Sequence, residues 1–248
     1  MIREYLMDKD KYARGEEQWR KYLCYKGEIP SRKDLDSCDA LIISGSRFDA
    51  HDVGTGWIKS LQTLVADLYF EKTPKKQTKI LGLCFGAQLI ANAIGGESNR
   101  SNVGWELGLK WVQFFPDTIN RLFPLLNNSP SSSSSSFSAL NTTTGLNTLE
   151  SHRDQILQVP PNALPLACST RCPVEAFATV DGRVLAIQGH PEFSKEFVQA
   201  LIEYRFRSGV IDAQVRDQAL ESFRANNGAT LAPDNHLWKE LILHWLQH

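Results

Sequence analysis

The sequence predicts an α/β fold, a doubly wound and mostly parallel sheet with helices on both faces, and three observations carry that expectation. Short, almost wholly apolar runs rich in Ile, Leu and Val at 38–45, 78–84 and 184–188 read as strands buried on both sides. Segments with apolar residues at helical spacing follow them, at about 57–70, 85–94 and 195–207. The order strand, helix, strand, helix is that of a parallel sheet, whose ligands sit at the carboxyl ends of the strands.

The first strand, Cys38-Asp-Ala-Leu-Ile-Ile-Ser-Gly45, is followed by the loop Ser46–Asp52. The helix after it places Trp57, Ile58, Leu61, Leu64, Val65, Leu68 and Tyr69 at helical spacing and is expected to close at Pro74. Thr78-Lys-Ile-Leu-Gly-Leu-Cys84 then runs straight into Phe85-Gly-Ala-Gln-Leu-Ile-Ala-Asn-Ala-Ile94, stopped by Gly95-Gly96. Residues 127–148 are rich in Ser, Thr and Asn and nearly uncharged, so they bury too little apolar surface to offset the entropy of ordering. A disordered surface insertion is expected there. Beyond it lie the strand Val184–Gln188 and an amphipathic helix, Lys195–Arg207, with Phe197, Leu201, Ile202 and Tyr204 on its apolar side. A tail helical in two pieces follows over about 212–248, and no repeat recurs at a fixed period.

With 248 residues, 42% hydrophobic and 22% charged, the chain suits a single domain spanning 1–248. A formal net charge of -1 and the absence of a Lys/Arg run argue against nucleic acid or an anionic membrane as partner. The charged N-terminus carries no apolar leader, and no stretch approaches the ~18 apolar residues of a membrane span. Five cysteines, an odd number scattered along the chain, favour a reducing compartment, so a cytosolic protein is expected. No cofactor is predicted, since neither a P-loop nor a G-x-G-x-x-G is present. No metal site is predicted either, because Cys168-x-x-x-Cys172 has no second ligand pair.

Gly82-Leu-Cys84-Phe-Gly86 has the form G-x-C-x-G, the thiol counterpart of the turn that exposes a nucleophile between strand and helix. The Phe85 N–H, at the start of that helix, would face a developing oxyanion, and the Gly45 backbone is the obvious second donor. Gln188-Gly-His190-Pro-Glu192 follows a strand, and Pro191 keeps His190 extended so that Glu192 can accept from the imidazole. That supplies a base and its orienter for a thiol nucleophile. Each motif alone has an ordinary structural explanation, a buried cysteine or a loop histidine. Their pairing is what points to catalysis by Cys84, His190 and Glu192.

Together, Gly-x-Cys-x-Gly-x-Gln at 82–88 and Gly-His-Pro-Glu at 189–192 resemble the class I glutamine amidotransferase family, with its flavodoxin-like fold, over about residues 38–206. The resemblance implies that Cys84 attacks a γ-glutamyl carbonyl to form a thioester, with His190 and Glu192 completing the triad and Gly45 and Phe85 binding the oxyanion. It also implies that Gln88 meets the glutamyl group and that Ser151, His152 and Asp154 line its pocket. A finer similarity, in Ile43-Ser-Gly-Ser, Gly104-x-Glu-x-Gly-Leu109, Ser151-His-x-Asp-Gln and Ile187-Gln-Gly-His-Pro-Glu-Phe, is to plant γ-glutamyl peptidases. That branch implies a glutathione conjugate as small-molecule substrate, in sulfur-containing defence metabolism. A glutaminase that supplies ammonia to a partner synthase subunit is the alternative, and a silent binding module on the same fold is a third. The family also has a strand ahead of residue 40, whereas the first 37 residues here hold no apolar run beyond Tyr5-Leu-Met. A shortened chain or a lost strand is therefore expected, and with it an exposed sheet edge.

Overall fold

A computed structural model describes residues 1–71, 77–123, 144–225 and 227–247. Its elements begin with Ile2–Leu6 (α1), Lys9–Ala13 (α2), Arg32–Asp36 (α3), Ala40–Ile43 (β1), Gly56–Phe70 (α4), Lys79–Leu83 (β2) and Phe85–Ala93 (α5). Next come Glu97–Arg100 (β3), Glu106–Phe114 (β4), Pro116–Leu122 (α6), Gly145–His152 (β5), Asp154–Gln158 (β6) and Ala163–Cys168 (β7). Ala176–Thr179 (β8), Val184–Ile187 (β9), Lys195–Arg207 (α7), Ala213–Glu221 (α8) and Asn235–Gln247 (α9) complete the order.

A seven-stranded sheet runs β1-β2-β9-β8-β7-β4-β5, and β3 pairs with β6 in a separate ribbon. The α/β fold with helices on both faces is present. Parallel pairing joins β1, β2 and β9, the three strands read from the sequence. The pairs β9/β8, β8/β7, β7/β4 and β4/β5 are antiparallel. Links such as Thr179 to Val184 are too short for the crossover that a parallel pair demands.

Successive side chains of a strand face opposite sides of a sheet, so each buried strand feeds two cores. Leu81, Leu83, Leu185 and Ile187 point to one, closed by Trp238, Leu241, Ile242 and Trp245 of α9 and by Leu6 of α1. Ile80, Val184 and Ala186 point to the other, beneath Ile58, Leu61, Val65 and Leu68 of α4 and Leu89 and Ile90 of α5. Arg183 donates to the carbonyls of Leu68 and Tyr69, each at 2.7 Å, satisfying acceptors that the end of α4 leaves open. Ser194 and Asp212 accept from Phe197 N and Val215 N at 3.2 and 2.8 Å and so cap α7 and α8.

Two expectations need correcting. Phe197 and Tyr204 are 39% and 66% exposed; the buried line of α7 is Val198 and Ile202, continued by Arg205 at the same helical spacing. Of the low-complexity stretch 127–148, residues 127–143 lie outside the described residues, but Gly145–Thr148 already belong to β5, held by eight residue pairs with β4. Pro74 also lies outside them, and α4 ends at Phe70. Strand β1 is an outer strand, paired with β2 alone among the described residues. Also among the described residues, no helix is long and apolar enough to cross a membrane.

Trp238 is fully buried, meets Phe114 edge-on at 5.5 Å and donates from Nε1 to Thr148 Oγ1 at 2.8 Å. Trp238→Ala should therefore cost about 3–5 kcal/mol of stability, measured by chemical denaturation.

Candidate active site

Strand β2 ends at Leu83 and α5 begins at Phe85, so Cys84 alone makes the turn, at φ 51 and ψ -108. A non-glycine residue in such a conformation costs on the order of 1–3 kcal/mol and persists only where its surroundings impose it. Here Cys84 N donates to Ile187 O at 2.8 Å, while Cys84 O accepts from Gln88 N at 3.1 Å. The flanking glycines are dictated by space. A Cβ on Gly82 would lie 2.7 Å from Ala87 N, and one on Gly86 would run into the carbonyl of Ile43 on the neighbouring strand. Phe85 takes the first position of α5, where backbone N–H groups have no partner within the helix.

The end of β9 brings His190 to the same place. Its backbone N–H donates to Leu149 O at 2.8 Å, and Nδ1 donates to Glu192 Oε1 at 2.9 Å. The Phe193 ring stacks on the imidazole at 4.0 Å and 5°. Gly45, just past β1, abuts the Cε1 edge, where a Cβ would lie 2.7 Å from Cε1. Held on these sides, the ring lies near enough to Cys84 for the two groups to interact electrostatically. Burial opposes a charge on His190, but the negative charge of Cys84 and the bond to Glu192 outweigh it and raise the imidazole from 6.5 to about 10. Both Cys84 and His190 are about 95% buried, so these interactions are poorly screened by solvent.

The structure thus brings Cys84, His190, Glu192, Gly45 and Phe85 together at the carboxyl ends of three adjacent parallel strands. The remaining expected residues line a flank. Gln88 turns inward, its Nε2 donating to Asp154 O at 2.9 Å and to Gln188 Oε1 at 3.1 Å. Asp154 pairs through its carboxylate with Arg100 at 3.0 Å and His51 at 3.2 Å; burial pushes its carboxyl up and Arg100 opposes that. Asp49, His51 and Asp154 converge as possible cation ligands, but Arg100 already pairs with both carboxylates. Ser151 accepts at Oγ from Arg205 Nη1 at 2.9 Å, whereas the His152 ring turns away into the sheet, 3.2 Å from Glu150.

Two residues at this site escape sequence reasoning. Phe193, which stacks on the base, directly follows the Gly-His-Pro-Glu motif. Arg205, its guanidinium 4.6 Å over Trp105, puts positive charge beside Cys84, and burial pulls its own pKa down. Its helical spacing from Val198 and Ile202 is the signal that marks it as inward-facing.

The fold has well-determined neighbours: a glutamine amidotransferase from Thermotoga maritima superposes with a TM-score of 0.66 at 18% identity, covering 96% of this chain and 91% of that one. One from Methylobacillus flagellatus gives 0.62 at 17% identity, over 96% and 87%. An α/β protein of amidotransferase architecture, with a thiol at the strand-to-helix turn, is thereby defined. The glutamine amidotransferase class-I family model matches residues 25–206, and the chain belongs to that family. Gamma-glutamyl peptidase 3 of Arabidopsis thaliana is 29% identical over 231 residues, 93% of this chain and 83% of its own length, and gamma-glutamyl peptidase 5 of the same plant is 29% identical over 93% and 82%.

The raised pKa of His190 links protonation to folding. Because the folded value, about 10, exceeds the ordinary 6.5, this contribution to stability is complete below about pH 6.5 and is lost as pH climbs through about 10. In imidazole NMR titration, His190 should keep its proton to near pH 10 and should lose it at lower pH in Cys84→Ser.

Proposed function

We propose that the chain is a cysteine-dependent γ-glutamyl peptidase that cleaves glutathione conjugates through a thioester, with Cys84, His190 and Glu192 as its triad. The observation that carries this reading is the single strained turn at Cys84 meeting an imidazole held by Glu192 and Phe193. The Cys84 thiolate, whose proton already resides on His190 Nε2, attacks the γ-glutamyl carbonyl carbon. The N–H groups of Gly45 and Phe85 hold the oxyanion, each donor worth roughly 3–4 kcal/mol of barrier. On collapse of the tetrahedral intermediate the C–N bond breaks, and His190 gives its proton to the leaving amine. Water, deprotonated by His190, then attacks the thioester and releases glutamate, which returns Cys84 as the thiolate with the proton on His190.

Gln88, Ser151, His152 and Asp154 are proposed to wall the glutamyl pocket, Gln88 by fixing the Asp154 carbonyl and the other three largely through their backbone. Arg205 beside Cys84 suits an anionic substrate. The relatives named gamma-glutamyl peptidase support this branch. We place the reaction in the cytosol within one domain spanning 1–248, and the plant defence pathway is part of the same reading. A glutaminase serving a synthase subunit shares every step up to the identity of the leaving amine; the GMP synthase of Baumannia cicadellinicola, 32% identical over 115 residues, is the relative that favours it.

Product analysis by mass spectrometry separates the two. Incubation with an S-substituted glutathione should release glutamate and the Cys-Gly conjugate, with Cys84→Ala inert; ammonia from glutamine alone would overturn the peptidase reading. A second measurement bears on the base. Gly45→Ala puts a methyl group against His190 Cε1, so kcat should fall on the order of 100-fold with little change in melting temperature.

A further inference from the structure

Behind the strand end that carries His190, three glutamates converge in the protein interior. Glu106 opens β4, Glu150 lies on β5 and Glu175 precedes β8; their exposures are 1%, 0% and 1%. His152 and Cys172, 4% and 0% exposed, complete the group. Burying three carboxylates together is costly unless something positive is shared among them. Yet neither oxygen of Glu150, neither oxygen of Glu175, nor His152 Nε2 makes a hydrogen bond among the described residues. Lys110 is nearby, its ammonium opposed by its own burial and favoured by Glu106 and Glu150, but it makes no hydrogen bond to Glu150 or Glu175.

The state of His152 sharpens this. Its Nδ1 lies 2.9 Å from the Asp154 carbonyl oxygen, which can only accept, so Nδ1 carries the proton. In the neutral ring Nε2 then offers a lone pair, 3.2 Å from Glu150 Oε2 and 3.9 Å from Glu106 Oε2. Lone pairs facing one another at that range repel unless a proton or a metal cation is shared between them. An imidazole whose far nitrogen is pinned by a backbone carbonyl is also the usual arrangement of a metal-bound histidine.

We propose that Glu150, His152 and Glu175, with Glu106 or Cys172 as a further ligand, bind a divalent transition-metal cation of the Zn2+ type. Donor atoms of Glu150, His152 and Glu175 lie within 4.8 Å of one another, as do those of Glu106, Cys172 and Glu175. Bonds of about 2.0–2.3 Å to a common ion would draw these donors closer together, and imidazole, carboxylate and thiol together suit Zn2+. Outer contacts are in place: Gln155 Nε2 donates to Glu106 Oε2 at 2.8 Å and Ser169 Oγ to Glu106 Oε1 at 3.5 Å.

The site is too enclosed to meet a substrate, so the ion is structural. It would tie β4 and β5 to the segment entering β8. It would also brace the His190 strand end, because a Cβ on Gly189 would lie 2.5 Å from Glu150 Oε1. Nothing in this inference depends on the chemistry at Cys84.

The test is metal content by mass spectrometry on the full chain, purified from Zn2+-supplemented cells and also refolded with and without Zn2+. One Zn2+ per chain is expected, with a melting temperature that falls on chelation and recovers on readdition, and with tetrahedral visible bands when Co2+ replaces it. Glu175→Gln, close in shape to the native residue, should weaken Zn2+ binding by more than about tenfold. Wild-type protein that refolds with no metal above the buffer blank, and whose melting temperature ignores Zn2+, would overturn the proposal in favour of carboxyl groups sharing protons. A metal-free Glu175→Gln more stable than metal-free wild type, with Zn2+ without effect on either, would do the same.

Discussion

The left-handed turn at Cys84 is the constraint around which the site is arranged. One residue separates a buried strand from a helix, so the sulfur is presented at the sheet's carboxyl edge rather than absorbed into either element. That geometry needs α5 packed so closely on β2 and β1 that Gly82, facing α5, and Gly86, facing Ile43 of β1, have no room for a Cβ. The strain is held locally by the bond from Cys84 N to Ile187 O, which ties the turn to β9, the same strand that delivers His190. Nucleophile and base are therefore registered by one parallel pairing, Leu83 against Ile187.

Around that register the imidazole is specified from several sides: Glu192 orients it, Phe193 covers a face, and Gly45 sits at its edge. Each contact comes from a segment close in sequence to a strand end, so precision at the site follows from sheet geometry rather than from long side chains reaching inward. The polar interior behind it has a different character. Glu106, Glu150 and Glu175 arrive from three places on the antiparallel part of the sheet, and their cost is what makes a bound cation the economical account of that region.

Much of this was legible beforehand, for a physical reason. Strands buried on both faces must be apolar throughout, so β1, β2 and β9 stand out, and the helices α4, α5 and α7 lie within a residue or so of where periodicity puts them. The antiparallel strands were not legible. β4 reads ELGLKWVQF and β5 GLNTLESH, mixing charged and apolar residues because one stretch of each meets the polar cluster and another the core, and this hides the period. Likewise α7 buries Val198 and Ile202 rather than Phe197 and Tyr204, a choice made by which side of the helix β4 and β5 cover.

The sequence by itself determined the class of fold, the turn at Cys84 and the pairing of His190 with Glu192, because each rests on neighbours within a few positions and on backbone rules that act locally. Only tertiary structure decided that Phe193 and Gly45 frame the base, that Arg205 reaches Trp105 and Ser151, and that five residues scattered from Glu106 to Glu175 meet in one buried cluster. Those contacts join segments as far apart as Gly45 and His190, set by strand order and register that no local pattern encodes.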